Sequence, residues 1–346
     1  MKTEVVYLIY GGPGGEAEVS RVSALGIHLN LNPKKWKVVP IGIAPDKKWY
    51  LQDVPTQSST VMPLVANPER EVWVVPGRGL RTASSNLEPG RVFPIVHGSF
   101  GEDGRLQGLL EWAGLPYVGA RTAGSALGMD KDLAKRVWQQ AGLRVVDWHV
   151  IRQNDPASVR SAVMEDAIDS WGWPLFIKPA NSGSSVGVNK VNNPLEFERA
   201  VHLALEIDNK VLVEPALHVR EIECAVLETP QGIQAFPPGE IVPSHEFYDY
   251  EAKYQDPEGA KLLIPAPLEH SQVVRVRDDA VKAFRLAEAR GFARVDFFVV
   301  LPSGEIFLNE INTLPGFTPI SMFPKMAEAG GVPYAQLLDL ILEQAR

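Results

Sequence analysis

The chain has 346 residues and carries 42 acidic against 34 basic side chains, a net charge of −8 at neutral pH. That balance excludes a general nucleic-acid footprint and a polybasic membrane surface, and the length allows two or three domains with cores of their own. No apolar run approaches the roughly 20 residues of a membrane span. The start, M-K-T-E-V-V-Y-L-I-Y-G-G, has an early acidic residue and only a strand-length apolar stretch, so it does not read as a signal peptide. The single cysteine, Cys224, excludes an internal disulfide framework and sits in E-I-E-C-A-V-L, a strand pattern that predicts a packing role. These features point to the cytosol.

Val5 to Tyr10 is an apolar run that predicts a strand ending at Gly11-Gly12-Pro13-Gly14-Gly15, and Glu16, Glu18 and Ser20 open a helical pattern after it. Trp36 to Ile43 predicts a second strand and Val92 to Val96 a later one. Strands alternating with helices suggest a parallel α/β unit. Residues from about Asp46 to Gly90 are rich in Pro, Ser and Gly and predict a loop-rich insertion. His97 follows the Val92 strand in V-H-G-S-F-G-E-D-G-R-L-Q-G, a Gly-rich loop at a strand end, where α/β sheets bind ligands.

A second region begins near Arg121. Met129 to Ala141 predicts a helix, and Lys131 near its start could reach a phosphate. Pro174 to Lys178 predicts a strand that ends on a lysine and runs into A-N-S-G-S-S-V-G. Small residues there let backbone N–H groups approach an anion, and hydroxyls add donors, although an ordinary loop has the same composition. Val211 to Glu214 predicts another strand. Its connector to Glu221 has backbone groups suited to an adenine edge and carboxylates suited to ribose hydroxyls, or is a plain inter-strand link. Phe247 to Tyr254, F-Y-D-Y-E-A-K-Y, mixes aromatic and charged residues between Pro-rich flanks, as a flap closing over a polar site would.

Ala293 to Ser321 predicts a hairpin around Pro302-Ser303-Gly304, a three-residue loop with Gly last. Leu301 then faces Glu305, Asp296 faces Glu310 and Arg294 faces Asn312, all four of the latter on one face. Opposed carboxylates repel, so a cation between them is expected. Asp, Glu and Asn oxygens suit Mg²⁺, and Arg294 suits a phosphate or a developing oxyanion. A loop of two or four residues would put the pairs on opposite faces. The near-continuous apolar run Val295 to Val300 argues for a strand buried on both faces rather than a solvated surface hairpin. Val332 to Ala345 closes the chain as a helix.

These segments resemble, in order and over nearly the full chain, the D-alanine–D-alanine ligases of the ATP-grasp fold. The resemblance rests on G-G-x-x-x-E-x-E-V-S at Gly11 to Ser20, H-G-x-x-G-E-D-G at His97 to Gly104, M-D-K at 129 to 131 and K-P-x-x-x-G-S-S-V-G at Lys178 to Gly187. It continues in R-E-I-E at Arg220 to Glu223, Y-D-Y-E-A-K-Y at Tyr248 to Tyr254, R-x-D at Arg294 to Asp296 and E-x-N-T-x-P-G at Glu310 to Gly316. It implies an α/β (α+β) ATP-grasp fold with an N-terminal Rossmann-like parallel α/β domain. The expected divisions are 1–120 for the first D-alanine site, 121–213 for the glycine-rich phosphate loop, and 214–346 for the metal and second D-alanine site, with the flap near 243–266. The implied reaction joins two D-alanines at the expense of ATP, through a D-alanyl phosphate, for peptidoglycan. The implied protein is a cytoplasmic homodimer that binds ATP and D-alanine, without nucleic acid or membrane.

The same resemblance implies roles by residue. Lys131, Lys178, Ser184, Ser185 and Val186 would hold ATP phosphates, and Glu214, Leu217 and Glu221 the adenine and ribose. Asp296, Glu310 and Asn312 would bind two Mg²⁺, with Mn²⁺ an alternative. Glu16 would hold the first ammonium, with Ser184 and Tyr254 tying the flap to it, Lys253 on the flap and His97 beside the substrate. Ser321 and the Met322 N–H would take the second carboxylate, and Arg294 and the Gly316 N–H would stabilise the oxyanion. Gly14 stands where many relatives have Ser, and Met322 where Leu is common. Three other readings stay open: a D-alanine–D-lactate ligase, against which Tyr254 argues; another ATP-grasp amino-acid ligase; and a nicotinamide-binding protein, from the loose pattern Gly12-x-Gly14-x-x-Ala17.

Overall fold

The computed structural model describes residues 3–56, 58–243 and 259–345. The expected flap residues Tyr248, Lys253 and Tyr254 lie outside the described residues. Three sheets carry the architecture. The first contains β1 (Glu4–Gly11), β2 (Trp36–Ile43), β3 (Trp49–Leu51), β4 (Glu71–Val75), β5 (Gly79–Arg81) and β6 (Arg91–Ile95), in the order β5-β4-β3-β2-β1-β6. β1 runs parallel between β2 and β6 and is covered on both faces, which is why its sequence is continuously apolar rather than alternating. The Asp46 to Gly90 stretch is therefore not only loop: β3, β4 and β5 lie within it and extend the sheet in antiparallel sense. Each is five residues or fewer, too short to show a clear alternation between Pro- and Ser-rich turns.

The second sheet has β7 (His149–Arg152), β8 (Leu175–Pro179), β9 (Asn189–Val191) and β10 (Lys210–Pro215), in the order β7-β10-β8-β9 and antiparallel throughout. Helices Ala157–Trp171 and Pro194–Ile207 pack into its core, with Ala167, Phe197, Val201 and Ala204 against Ile177, Val211 and Val213. The other side carries Lys178, Leu212 and Glu214, since Lys178 faces Leu212 and Glu214 follows two residues on. The helix expected over Met129 to Ala141 is present as Lys131–Gln140, and a separate helix, Thr122–Met129, precedes it. Asp130 breaks the path with extended backbone and caps the second helix, its carboxylate accepting the Leu133 N–H at 3.1 Å.

The third sheet has β11 (Val219–Thr229), β12 (Gly232–Ala235), β13 (Gly239–Pro243), β14 (Ala260–Leu263), β15 (Phe292–Val300) and β16 (Ile306–Asn312). Its order is β14-β13-β11-β15-β16, with β12 paired to β11. Helix His270–Leu286 packs on one side, and Cys224 is part of that core, its thiol pushed up to about 12 by burial. Another core joins the first and third sheets. Phe93 of β6, Phe292 of β15, Phe317 and Phe323 of helix Met322–Ala329 meet with ring centroids 5.5–6.2 Å apart. Each fully buried Phe contributes about 1.5–3 kcal/mol of burial, so this cluster fixes the 314–322 segment against the ends of β1 and β6.

Candidate active site

Along β15, Ala293, Val295, Phe297 and Val299 are buried, whereas Arg294 and Phe298 are only half-buried. The open face looks into a cavity of about 280 Å³ lined by Glu16, His97, Ser184, Arg294, Asp296, Glu310, Asn312, Gly316 and Ser321, among others. The expected pairs are present: Arg294 faces Asn312 and Asp296 faces Glu310. The turn is not the one expected. Val300, not Leu301, faces Glu305 through the Val300 N–H to Glu305 O bond at 2.9 Å, so the loop has four residues, Leu301 to Gly304. A bulge restores the register, because Asp296 pairs with Glu310 but Phe297 with Leu308, leaving Asn309 as the extra residue. Two offsets of one residue cancel.

β11 adds a third carboxylate to this row, as Glu223 lies opposite Asp296. Arg294 answers the cluster. Its guanidinium donates to both Asp296 oxygens at 2.8 and 2.7 Å and reaches Glu223 Oε2 at 3.0 Å, and Asn312 Nδ2 donates to Asp296 Oδ2 at 2.9 Å. Lys131 Nζ stands 3.5 Å from Glu310 Oε2. Among the described residues no three His, Cys, Asp or Glu side chains form a metal cage by themselves. The donor set still fits Mg²⁺: it is oxygen-only, faces an open cavity, and is met here by cationic side chains. Mg²⁺ usually takes one or two carboxylates and completes its shell with water and substrate phosphates.

Glu16 precedes helix Ala17–Asn30, where a carboxylate suits the positive helix end. Ser184 donates its hydroxyl to Glu16 Oε1, as expected. Ser184 and Ser185 both hold left-handed backbone, φ 48 and 59, a tight conformation that non-Gly residues seldom adopt. Gly98 presses on the other side of Glu16: a Cβ there would lie 2.0 Å from Glu16 Oε2. The Gly98 N–H donates to Glu102 Oε2 at 2.6 Å. Two carboxylates thus meet at one glycine. Burial and then the Glu16 charge push the Glu102 carboxyl up to about 8. Glu102 stands inside the H-G-x-x-G-E-D-G segment but had no expected role. Its only signal was a second acid in a strand-end loop.

His97 is held as the neutral imidazole, lowered to about 4 chiefly by burial. Its Nδ1 lies 3.1 Å from Leu314 O and its Nε2 3.2 Å from Ser23 Oγ. A carbonyl only accepts, so Nδ1 carries the hydrogen and Nε2 accepts from Ser23, whose oxygen takes the Phe317 N–H at 3.2 Å. His97 therefore aims the 314–317 turn at the cavity. Gly316 leaves room for Ser321, since a Cβ there would lie 2.6 Å from Ser321 Oγ. Ser321 begins helix Met322–Ala329 and its Oγ accepts the Thr318 N–H at 3.0 Å, so a helix N-terminus faces the same cavity.

Lys131 and Lys178 come from the second region. The Lys131 ammonium donates to Ser182 O at 2.6 Å, at the root of the loop that holds Ser184, Ser185 and Val186. Asp130 and Asp132, its chain neighbours, are clamped by buried Lys210, at 2.6 Å from Asp130 and 3.2 Å from Asp132. Lys178 pairs with Glu214. Glu214 is only 2 % exposed and pairs also with Lys135, which is 1 % exposed and donates to Val146 O at 2.9 Å. Burial pulls the Lys135 ammonium down to about 8 against the opposing pull of Glu214. Lys135 was missed because its partner lies 79 residues away in sequence. Leu217 is half-buried in the connector after β10, and Glu221 lines the cavity.

Family models described as D-ala D-ala ligase N-terminus and C-terminus match residues 5–120 and 137–343. The D-alanine–D-alanine ligase of Treponema denticola is 41% identical over 98% of this chain and 95% of its own, and that of a Bradyrhizobium species (strain BTAi1) 44% over 99% and 95%. Two solved structures superpose closely. The D-alanine-D-alanine ligase from Coxiella burnetii has a TM-score of 0.86 at 35% identity, covering 99% of this chain and 94% of that one. The VanG D-Ala:D-Ser ligase from Enterococcus faecalis has 0.85 at 34%, covering 99% of each. Matches of this extent and identity place the fold as ATP-grasp, and the chain belongs to the D-alanine–D-alanine ligase family.

Proposed function

We propose that this protein joins two D-alanine molecules to D-alanyl-D-alanine, with ATP converted to ADP and phosphate, for peptidoglycan synthesis. The observation that supports the reading is one cavity that gathers the Glu16 carboxylate, the Arg294 guanidinium, the row of Asp296, Glu310 and Asn312, and the N-terminus of helix Met322–Ala329. Glu16 holds the first ammonium, with Ser184 bonded to it. Lys131, Lys178 and the loop with Ser184, Ser185 and Val186 hold the ATP phosphates, while Leu217 and Glu221 flank the adenine and ribose; Glu214, expected beside them, has both oxygens paired with Lys135 and Lys178 and acts through Lys178. The first D-alanine carboxylate attacks the γ-phosphorus and becomes an acyl phosphate, a form with a leaving group that a free carboxylate lacks. Ser321 and the Met322 N–H orient the second carboxylate so that its amine attacks the acyl carbon, and phosphate leaves. Arg294 and the Gly316 N–H meet the oxyanion that develops there. Asp296, Glu310 and Asn312 would hold Mg²⁺, which when bound neutralises phosphate charge. Tyr254 and Lys253, expected on a flap that excludes water, lie outside the described residues.

In this reading residues 1–120 supply the first amino-acid site, 121–213 the phosphate loop and 214–346 the metal and acceptor sites, in a cytoplasmic homodimer. Among the described residues no helix is long and apolar enough to cross a membrane. The test is phosphate release with ATP, Mg²⁺ and D-alanine, beside L-alanine and beside D-alanine mixed with D-lactate or D-serine, with products weighed by mass spectrometry. D-Alanyl-D-alanine should dominate. Phosphate release that needs no D-alanine, or a mixed product in excess, would overturn the assignment.

A further inference from the structure

We propose that Lys135 is a positioning residue of the nucleotide site: it stays behind as the counter-ion of Glu214 when Lys178 turns from that carboxylate to the phosphates of ATP. The inference rests on the ligase reading above. Two ammonium groups share one buried carboxylate, Lys135 on one oxygen and Lys178 on the other. They are not equivalent. The Lys135 side chain is 1 % exposed, bonded to Val146 O at 2.9 Å and placed 5.3 Å from the Trp148 ring centre. The Lys178 side chain is 11 % exposed and stands at the strand end that leads into the Ser184 loop. Only Lys178 has somewhere to go.

The charge count gives the reason for the second lysine. With Lys178 alone, Glu214 would form a neutral, closed pair. Drawing Lys178 off would strand a carboxylate out of water, which is strongly unfavourable. With Lys135 present the three groups carry one positive charge in excess, and the departure of Lys178 leaves a neutral Lys135–Glu214 pair. The excess charge is matched when a phosphate arrives. Glu214 then serves as the resting place of Lys178, and Lys135 lowers the cost of leaving it.

The test is a set of four full-length proteins: parent, Lys135→Met, Glu214→Gln and Lys135→Met/Glu214→Gln. Each is titrated with the non-hydrolysable analogue AMP-PNP and Mg²⁺ by calorimetry, with KM for D-alanine measured alongside. Lys135→Met should weaken AMP-PNP by about tenfold, the worth of one charge-assisted hydrogen bond, and leave the D-alanine KM in place. With Glu214→Gln already present, Lys135→Met should cost nothing further, because Lys178 is then no longer held and Lys135 has no carboxylate to balance. A packing role would show the same loss in both backgrounds, and that result, or unchanged affinity in Lys135→Met, overturns the proposal. Should Lys135→Met not fold, the double variant is compared with Glu214→Gln alone: equal affinity supports the proposal and a further tenfold loss overturns it. A parent protein that fails to bind AMP-PNP would overturn the ligase reading itself, and this inference with it.

Discussion

The second and third sheets both carry a row of ionised side chains on one face, with opposite results. At the second sheet, Lys178 of β8 and Lys135 of helix Lys131–Gln140 outnumber Glu214, and the charges are sealed against one another. On the third, Glu223, Asp296 and Glu310 outnumber Arg294 and face an open cavity. One group has surplus positive charge and the other surplus negative charge, which in the reading proposed above suit phosphates and a cation respectively. A nucleotide–metal complex has that same polarity. The contrast also separates two uses of burial: a sealed pair fixes where one lysine rests, whereas an exposed row leaves its oxygens available to a ligand.

The sharpest way to break this contrast is to remove the single guanidinium on the acidic wall. Arg294→Ala should lower dipeptide synthesis by about 10²–10³-fold, the scale of losing one oxyanion donor, while calorimetry shows nucleotide binding retained. Parallel collapse of ATP affinity would assign Arg294 to the basic wall's task instead. Glu310→Gln should raise the Mg²⁺ concentration for half-maximal rate by about 10–100-fold with little change in Tm; normal activity at limiting Mg²⁺ would remove Glu310 from the metal set. Gly98→Ala places a methyl against Glu16, at positive φ as well. It should raise the D-alanine KM by about tenfold, the cost of disturbing one charged contact, with the ATP KM unmoved, and an ATP effect of equal size would mean that the loop serves both sites.

The smallest effect concerns stability. The Glu102 carboxyl is raised from its ordinary range to about 8 by burial and by Glu16. Between those values the native protein holds a proton that the unfolded chain has lost. Stability from this group therefore falls as pH rises from the ordinary carboxylate range toward 8, and the penalty is complete above it. Glu102→Gln should flatten that decline. Thermal unfolding at pH 6 and 9 should show the variant's Tm falling less than the parent's by on the order of 2 °C; an identical decline would mean Glu102 is ionised throughout.

The acidic wall was legible because its partners are close in the chain: a hairpin brings Asp296 and Glu310 together whatever the rest of the protein does. Even so, the turn is one residue longer than Pro302-Ser303-Gly304 predicts, and the bulge at Asn309 cancels the offset. Nothing in a one-dimensional count reveals a bulge, since Leu308, Asn309 and Glu310 alternate like any strand. The basic wall was legible only as separate lysines. Lys178 and Lys131 stood out beside small-residue or helix-start patterns, but Lys135 and Lys210 meet carboxylates that are 79 and 80 residues distant. Such pairings are set by how the sheets stack. The same holds for the segment from Asp46 to Gly90, whose short strands form only because β2 offers an edge.

The Asn309 bulge has a mechanical consequence beyond register. β16 is the last strand of its sheet, and an open edge is where foreign strands add and sheets grow into aggregates. Just past the bulge, the Leu308 N–H turns to Arg144 O at 2.8 Å, and Val145 forms a parallel bridge with Leu308. The segment after helix Lys131–Gln140 therefore caps the edge at its midpoint, and Arg144 adds a 2.6 Å ion pair to Glu305 near the tip. The strand's outer rim is thus closed to intruding chains at the residue beside the bulge that keeps the carboxylates in line.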